Sequence, residues 1–293
     1  MNYEGATYRP PVESDSLLLQ VTVGCSHNSC SFCNMYRDVR FRVASMEEIE
    51  KDLQEARGIY PKAERIFLVN GDAFVLKAET LQAIAGKIVE YFPECQNIGM
   101  YASIGNIKTK TDQELADLKN CRINDLHVGV ESGSEAVLKQ LNKGHTREEA
   151  IYHLKRLNNV GINYATSLML GAAGKGKGVE NARLTAALLN EVRPNLIWLG
   201  TLGIFKTVPL YEDVLAGRFS LPTELEVLEE EKELLSRISL DNVILQANHP
   251  TNTVPMFGVL PRDREKMISH LNAAIEHYGK ESLFKLMPPR LNM

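Results

Sequence analysis

Three cysteines lie within nine residues near the start of the chain, at Cys25, Cys30 and Cys33. Thiolates this close in sequence are suited to hold one metal centre on a single loop. A structural zinc site or a fully protein-ligated [4Fe–4S] cluster needs four ligands, and no fourth cysteine is near in the sequence. Three cysteines therefore indicate an iron–sulfur cluster with one iron open to a non-protein ligand. A zinc site with His27 as the fourth ligand is the alternative.

The elements that must position this loop are short apolar strands alternating with amphipathic helical segments. We expect six strands, at residues 17–23, 65–69, 97–102, 126–130, 162–170 and 196–202. Repeats of strand and helix need a parallel sheet with right-handed crossovers, either closed towards a barrel or open and doubly wound. The cysteine loop directly follows the first strand, and α/β barrels place their chemistry at such carboxyl ends of strands.

The cysteine loop resembles that of the radical S-adenosylmethionine (SAM) superfamily, in which three cysteines hold a [4Fe–4S] cluster whose open iron chelates SAM. Phe32 matches the aromatic residue that this family places just before the last cysteine, near the adenine. The common form has three residues between the first two cysteines, whereas this chain has four. The resemblance implies an α/β fold, a partial (β/α)6 TIM-like barrel with a short α/β C-terminal extension.

The resemblance also implies an activity and its cofactors, a [4Fe–4S] cluster and SAM. The reduced cluster would cleave SAM to methionine and a 5′-deoxyadenosyl radical, which abstracts hydrogen from a small-molecule or otherwise unidentified substrate. An electron donor such as flavodoxin or ferredoxin is the implied protein partner.

Residues at later strand ends extend the resemblance. Gly71 and Asp72 follow the second strand and are similar to the family's Gly-Gly-Glu element, which holds the SAM ammonium group. Ser103 at the end of the third strand and Ser167 late in the fifth align with SAM-contacting positions. The resemblance implies that these four residues bind SAM.

The stretch 130–144 resembles a motif found in relatives of oxygen-independent coproporphyrinogen III oxidase and of methylthiotransferases. It reads Val-Glu-Ser-Gly-Ser at its start and Leu-Asn-Lys-Gly at its end. By this resemblance, Glu131 would bind the ribose hydroxyls of SAM and Lys143 would lie near the SAM carboxylate.

A glycine-rich loop at residues 171–178 supports a competing hypothesis. It matches the first seven positions of the phosphate-binding pattern G-x-x-x-x-G-K-[ST], but Gly178 stands where Ser or Thr would bind Mg²⁺. A P-loop-like nucleotide hydrolase is therefore a second alternative to the radical SAM hypothesis.

The regular alternation of predicted strands and helices ends after Pro209. We expect a helix at 223–238, a possible strand at 242–247 and a last helix at 262–278. We predict an N-terminal segment at 1–16, a core barrel at 17–215 and an extension at 216–293 that covers the barrel mouth. In the extension, His249 and Asn252 are candidate substrate contacts, whereas the run Glu229–Glu231 is predicted to be a solvated helix face.

Composition narrows the function classes. Hydrophobic residues at 44% and charged residues at 24% are typical of a soluble globular protein. Lys plus Arg total 33 against 37 for Asp plus Glu, a net charge of −4, so a broad nucleic-acid-binding surface is not expected. No apolar run approaches the ~20 residues of a membrane helix, and residues 1–16 lack a signal-peptide core. We therefore expect a cytoplasmic protein without membrane contact.

Overall fold

The computed structural model of the chain describes residue 1 and residues 3–283, with side chains through residue 277. The last ten residues of the predicted extension thus lie outside the described residues. The chain divides into two compact units, and each is treated separately below. The first unit comprises Met1–Asn28, Met35–Gly129 and Arg156–Tyr164, and the second comprises Ser29–Asn34, Val130–Lys155 and the described residues from Ala165 onward.

The first unit is built on parallel strands with intervening helices. Its strands are β1 (Leu17–Gln20), β2 (Thr22–Val23), β3 (Arg42–Val43), β4 (Arg65–Val69), β5 (Asn97–Ala102) and β6 (Ile123–Glu131), the last of which continues into the second unit. Its helices are α1 (Met46–Ile59), α2 (Ala78–Tyr91), α3 (Ile104–Lys108) and α4 (Asp112–Asn120). Strands β1, β4, β5 and β6 pair in parallel in that order, and β2 pairs antiparallel with β3.

Local sequence explains where the helices of the first unit begin. Ser45 and Thr111 precede α1 and α4, and each forms a capping box with the Glu three residues later. These boxes satisfy backbone N–H groups that have no partner in the first helical turn. Ile49, Leu53 and Ala56 then form the buried stripe of α1, at the spacing of an amphipathic helix.

The N-terminal segment is fixed by one buried carboxylate. Glu13, in a short 3-10 helix, accepts a hydrogen bond of 2.7 Å from Arg65 Nε and lies 3.3 Å from His127 Nε2. Burial alone would raise the pKa of Glu13, but the hydrogen bonds from Arg65, His127 and Ser16 lower it to about 2. The segment is therefore tied to the start of β4 and to the middle of β6.

The second unit continues the alternation of strands and helices. Its helices are α5 (Glu135–Gln140), α6 (Arg147–Val160), which runs into the first unit, α7 (Gly178–Val192), α8 (Pro209–Leu215), α9 (Glu224–Arg237) and α10 (Arg264–Leu283). Its strands are β7 (Asn163–Leu170), β8 (Leu196–Thr201), β9 (Val243–Ala247) and β10 (Met256–Leu260). Strands β7, β8 and β9 are parallel, and β10 runs antiparallel to β9.

The predicted strands are all present, and the α/β class is confirmed. The predicted strand at 17–23 is divided at Val21 into β1 and β2. The possible strand at 242–247 corresponds to β9, whereas β10 is not among the predicted strands, because the sequence predicts only a helix after residue 247. Within the described part of the chain, no helix combines the length and hydropathy required to cross a bilayer.

The prediction that Glu229–Glu231 form a solvated helix face is wrong for two of the three residues. Glu229 is exposed, but Glu230 is 2% and Glu231 is 1% exposed. Helix α9 contacts both α7 and α10, so residues on two of its sides are buried. Burial, together with the neighbouring charge of Glu230, raises the pKa of Glu231 to about 8, and one of its carboxyl oxygens has no hydrogen-bond partner among the described residues.

We predict that Glu231→Gln stabilises the protein at alkaline pH. Because the folded state raises the pKa of Glu231 from 4.5 to about 8, the stability linked to its protonated form is present below about pH 4.5. That stability is lost as the pH rises through about 8, since the buried carboxyl must then ionise. The neutral amide avoids this ionisation, so the variant should be more stable than wild type at pH 8.5 by at least about 1 kcal/mol.

Urea denaturation at pH 4.5 and pH 8.5 measures this difference. The matched control is Glu229→Gln, the same change at the adjacent exposed position, which should leave the pH dependence of stability unchanged. A Glu231→Gln variant that follows the wild-type pH dependence would show that Glu231 is ionised in the folded protein.

Candidate functional site

The three clustered cysteines are distributed over both units. All five cysteines lie in the described part of the chain, and none is in a disulfide. Cys25 lies two residues after the end of β2 in the first unit, whereas Cys30 and Cys33 belong to the second unit. The sulfurs are thus not taken up in disulfides and can ligate a metal as thiolates.

The loop that carries Cys30 and Cys33 is held by the segment after α5. The backbone N–H of Ser31 donates to the carbonyl of Leu141 at 2.9 Å, and its hydroxyl donates to the carbonyl of Gln140 at 2.8 Å. The side-chain amide of Asn142 donates to the carbonyl of Ser29 at 2.8 Å. The Leu-Asn-Lys-Gly segment therefore positions the cysteine loop through its backbone and through Asn142.

A buried ion pair lies beside these cysteines. Lys143 Nζ is 3.1 Å from Glu131 Oε1, and each side chain is 10% exposed. Burial alone would lower the pKa of Lys143, but the Glu131 carboxylate and the Cys30 and Cys33 thiolates raise it above its ordinary value. The Lys143 ammonium group thus lies next to the Glu131 carboxylate and close to the sulfurs of Cys30 and Cys33.

Phe32 links this charged group to the apolar core. Lys143 Nζ lies over the Phe32 ring, 5.9 Å from its centroid. The ring is buried in a hydrophobic cluster against which Cys30 and Cys33 also pack. That cluster includes Val137, Leu141, Ala172, Leu202, Phe205 and Phe219. The second unit therefore brings together five of the predicted site residues, namely Cys30, Phe32, Cys33, Glu131 and Lys143.

Asp72 is the centre of a second group, in the first unit. Its buried carboxylate accepts a hydrogen bond from the Ser26 hydroxyl, and the Asn106 side chain also hydrogen-bonds to it. Burial raises the pKa of Asp72 to about 6, although the hydrogen bonds from Ser26 and the charge of His27 oppose the rise. Ser103 accepts from the Asn106 N–H at 3.1 Å and caps α3, so it is joined to Asp72 through Asn106.

Gly71 lies against an aromatic ring. A Cβ atom at this position would lie 2.5 Å from Cε2 of Tyr36, which is closer than any normal contact. Tyr36 is itself buried and packs edge-on against Tyr8, with 5.5 Å between the ring centroids. Glycine at position 71 is therefore required by side-chain packing within the first unit.

The remaining predicted site residues lie on or beside the sheet of the second unit. Ser167 in β7 is in register with Trp198 in β8, and the ring of His249 packs edge-on against Trp198. Asn252 is buried, and its amide nitrogen donates to the carbonyls of Leu199 and Ala247, both at 2.8 Å. Its amide oxygen accepts from the Thr201 hydroxyl at 2.9 Å. The amide of Asn252 is thus committed to joining the ends of β8 and β9.

The glycine-rich loop binds carboxylates of α9. The N–H of Gly171 donates to Glu230 at 2.8 Å, and the N–H of Gly176 donates to Glu226 at 2.7 Å. A Cβ at Gly178 would lie 2.9 Å from a Glu230 oxygen, which explains why no Ser or Thr stands there. Because acidic side chains of the chain itself occupy backbone donors that a P-loop offers to phosphate, the nucleotide-hydrolase alternative has no support.

The zinc alternative has no support either. Within residues 1 and 3–283, no three His, Cys, Asp or Glu side chains are grouped as ligands of a single metal ion. A [4Fe–4S] cluster differs in this respect, because each cysteine binds a separate iron.

Several residues of the site escaped the sequence analysis. Ser26 and Asn106 hydrogen-bond to Asp72, and Asn142 holds the cysteine loop. Lys110 is buried and donates to the carbonyl of Phe74 at 2.7 Å, two residues after Asp72. Only Ser26 and Asn142 had a signal in the sequence, since each adjoins a residue already singled out, Cys25 and Lys143 respectively.

Comparison with known proteins places this site in a family. The family model described as "Radical SAM superfamily" matches residues 19–178, which include the cysteine loop and the stretch 130–144. The chain is 25% identical over 158 residues to a tRNA-2-methylthio-N(6)-dimethylallyladenosine synthase of Chlorobium phaeobacteroides (strain BS1), covering 52% of this chain and 33% of that protein. It is 27% identical over 147 residues to the oxygen-independent coproporphyrinogen-III oxidase-like protein HemZ of Bacillus subtilis (strain 168), covering 48% of this chain and 28% of that protein. The chain thus spans about a third of the length of these relatives.

The fold is shared with a solved structure. Coproporphyrinogen III oxidase (HemN) from Escherichia coli, described as a radical SAM enzyme, superposes with a TM-score of 0.57 at 15% identity, covering 75% of this chain and 51% of that chain. This likeness confirms the predicted fold class, an α/β fold with a partial TIM-like barrel. Because the family model covers more than half of the 293 residues and contains the three-cysteine loop, the chain belongs to the radical SAM superfamily.

Proposed function

We propose that this chain binds a [4Fe–4S] cluster through Cys25, Cys30 and Cys33, and SAM beside it. When bound and reduced, the cluster supplies the electron that cleaves SAM to methionine and a 5′-deoxyadenosyl radical, which takes hydrogen from the substrate. The observation that carries this proposal is the buried Lys143–Glu131 ion pair beside Cys30 and Cys33. An electron donor such as flavodoxin or ferredoxin and a cytoplasmic location belong to the same proposal.

The donor set fits the proposed cofactors. Three cysteine thiolates would ligate three of the four irons of the cluster and leave the fourth iron open for SAM. Lys143 is a cation held in an apolar surrounding, where its attraction to anionic groups is strong. It compensates the negative charge of the thiolates and can also attract the carboxylate of SAM. Phe32, which is buried beside it, offers an aromatic surface for the adenine.

Glu131 holds Lys143 and can accept hydrogen bonds from the ribose hydroxyls of SAM. It adopts a left-handed backbone conformation, with φ at 67°, at the point where β6 ends. A non-glycine residue rarely has this conformation, and where it does so at a site the strain is often associated with function.

Asp72 is proposed as an acceptor for the ammonium group of SAM. The hydroxyl of Ser26 and the amide of Asn106 orient its carboxylate. Gly71 and Ser103 would then act indirectly, by holding the surroundings of Asp72. Gly71 leaves room for the Tyr36 ring, and Ser103 positions Asn106. Ser167 remains a proposed SAM contact.

His249 is proposed as a substrate contact. Its Nδ1 lies 3.2 Å from the Thr251 N and 2.7 Å from the Thr251 hydroxyl oxygen, so Thr251 fixes the orientation of the ring. Asn252 is likewise proposed as a substrate contact, and its amide fixes the segment that carries His249, because it joins β8 to the end of β9.

The proposed activity is tested by anaerobic reconstitution with iron and sulfide, followed by SAM and dithionite. We expect wild type to form 5′-deoxyadenosine, and Cys30→Ala to form none above the level without protein, because the cluster loses a ligand. The matched control is Cys121→Ala, the same change at a cysteine outside the loop, which should retain activity. A colourless wild-type protein that carries one zinc and forms no 5′-deoxyadenosine would refute the proposal.

Lys143→Gln should weaken SAM binding by about tenfold or more, because a buried charge-assisted contact is lost. Equilibrium dialysis of SAM against the reconstituted protein measures the dissociation constant, and iron content and thermal melting show whether cluster and fold persist. Lys139→Gln, at an exposed position of α5, is the matched control and should bind SAM as wild type does. Equal affinity of Lys143→Gln and wild type would exclude Lys143 as a SAM contact.

Gly71→Ala should destabilise the fold by about 2 kcal/mol, because its methyl group overlaps the Tyr36 ring. Tyr36→Leu removes the ring atoms in question, so the alanine substitution should be much less damaging in the Tyr36→Leu background. Urea denaturation of the four proteins of this double-mutant cycle measures the coupling. Additive effects of the two changes would show that the space over Gly71 is not set by Tyr36.

A further inference from the structure

Four side chains form one row across the strands of the second unit. Ser167 in β7 is in register with Trp198 in β8, Trp198 with Gln246 in β9, and Gln246 with Phe257 in β10. Directly paired residues of neighbouring strands have their side chains on the same face of a sheet. We call these four residues the cross-strand row.

The row lies on the sheet face opposite to the helices. Leu168, Leu170 and Leu199 alternate with the row along β7 and β8 and are buried, and together with Met169 they line a small cavity that residues of α7 and α9 also line. Gly258 of β10 lies against Met267 of α10, where an added Cβ would be 2.9 Å from its sulfur. Since side chains alternate along a strand, the neighbours of these residues in the row face away from α7, α9 and α10.

Two polar groups of the row are buried without a partner. Among the described residues, neither Nε1–H of Trp198 nor Oε1 of Gln246 has a hydrogen-bond partner. Gln246 is only 7% exposed, so its amide is shielded from solvent. A buried donor or acceptor left unsatisfied is unfavourable by about 1–3 kcal/mol, and here the donor and the acceptor belong to residues paired in register on neighbouring strands.

Aromatic side chains flank these two groups. Phe257 is 65% exposed, which is unusual for a phenyl ring, and it is the partner of Gln246 in register. The indole of Trp198 covers Gly200, and His249 packs against the indole with 5.1 Å between ring centroids. A planar ligand would therefore have aromatic surfaces to stack on.

The row itself contains no charged side chain. Its members carry a hydroxyl, an indole, an amide and a phenyl group, and burial lowers the pKa of the adjacent His249, which favours its neutral form. A charged ligand group placed against the row would lose hydration without gaining an opposite charge from these residues. The row therefore favours an uncharged ligand.

We propose that the cross-strand row is the substrate-recognition surface, and that the substrate carries an uncharged planar ring with a lactam edge. The ring carbonyl would accept from Trp198 Nε1–H, the adjacent ring N–H would donate to Gln246 Oε1, and Phe257 would stack on the ring. This inference rests on the proposed function, since it names the class of substrate from which hydrogen is taken.

Uracil is the probe, because it is the smallest common ring with an alternating carbonyl and N–H edge. Trp198 is the sole tryptophan of the chain, so its fluorescence reports directly on the row. In the full-length reconstituted protein without SAM or reductant, uracil should change this fluorescence saturably. The matched ligand 1,3-dimethyluracil keeps the carbonyls but lacks the donors, and it should bind at least about tenfold more weakly.

Variants locate the binding. Gln246→Leu should reduce uracil affinity by about tenfold, because the acceptor is lost. Phe257→Ala, at an exposed position that should leave the fold intact, should weaken it several-fold. Thr166→Val is the matched control, since Thr166 neighbours Ser167 but lies on the helix-facing side of β7. It should bind uracil as wild type does.

The inference is overturned if wild type gives no saturable change with uracil, or if Gln246→Leu and Phe257→Ala both bind it unchanged. Thermal melting of each variant shows whether it is folded. If Gln246→Leu does not fold, the uracil affinity of Phe257→Ala alone tests the inference. A protein that forms 5′-deoxyadenosine but does not bind uracil would overturn this inference alone. Uracil binding without SAM cleavage would overturn the proposed function, and the row would then be a binding surface for a ligand that is not a substrate of SAM chemistry.

Discussion

The constraint on which the second unit depends is that a charge taken out of water must have a partner. Lys143 and Glu131 satisfy this constraint because they form an ion pair with one another. Lys143 also interacts electrostatically with the sulfurs of Cys30 and Cys33. An isolated buried ammonium would lose its proton, and an isolated carboxylate would gain one. Glu131 precedes α5 and Lys143 follows it, so the short segment 131–143 must turn back on itself to bring the two side chains together. Left-handed conformations at Glu131 and Asn142 are found at its two ends.

The same constraint explains the glycine-rich loop. Glu230 is buried, and it accepts hydrogen bonds from the Gly171 N–H and from the amide of Asn181 in α7. Asn181 accepts in turn from Ser132, which directly follows Glu131. Carboxylates of α9 therefore organise both the turn after β7 and the turn after β6. The likeness of residues 171–178 to a phosphate-binding loop reflects a real anion-binding arrangement, in which the anion is a side chain of the chain itself.

What the sequence analysis identified depended on local signals. The strands were recognisable because residues buried on both faces leave continuous apolar runs, as in β4. The cysteine loop, Glu131 and Lys143 were recognisable because their spacing is encoded in short stretches of chain. Glu230 and Glu231 were misread because charge in a helix predicts solvent exposure unless a second helix packs on that side. Likewise, no local pattern indicates that Asn252 joins two strands, or that Gly71 faces Tyr36.

The register of the strands links the candidate SAM contact to the proposed recognition surface. Ser167, Trp198 and Gln246 share a face because Leu168, Leu199 and their neighbours must bury their side chains against α7 and α9. A slip of one residue in any of these strands would place polar atoms in that apolar layer and leucines on the opposite face. The packing of the helix-covered face therefore determines which side chains stand on the other face. Single substitutions in the cross-strand row can therefore change its hydrogen-bonding and aromatic groups, while the buried leucines on the helix-covered face maintain the register of the strands.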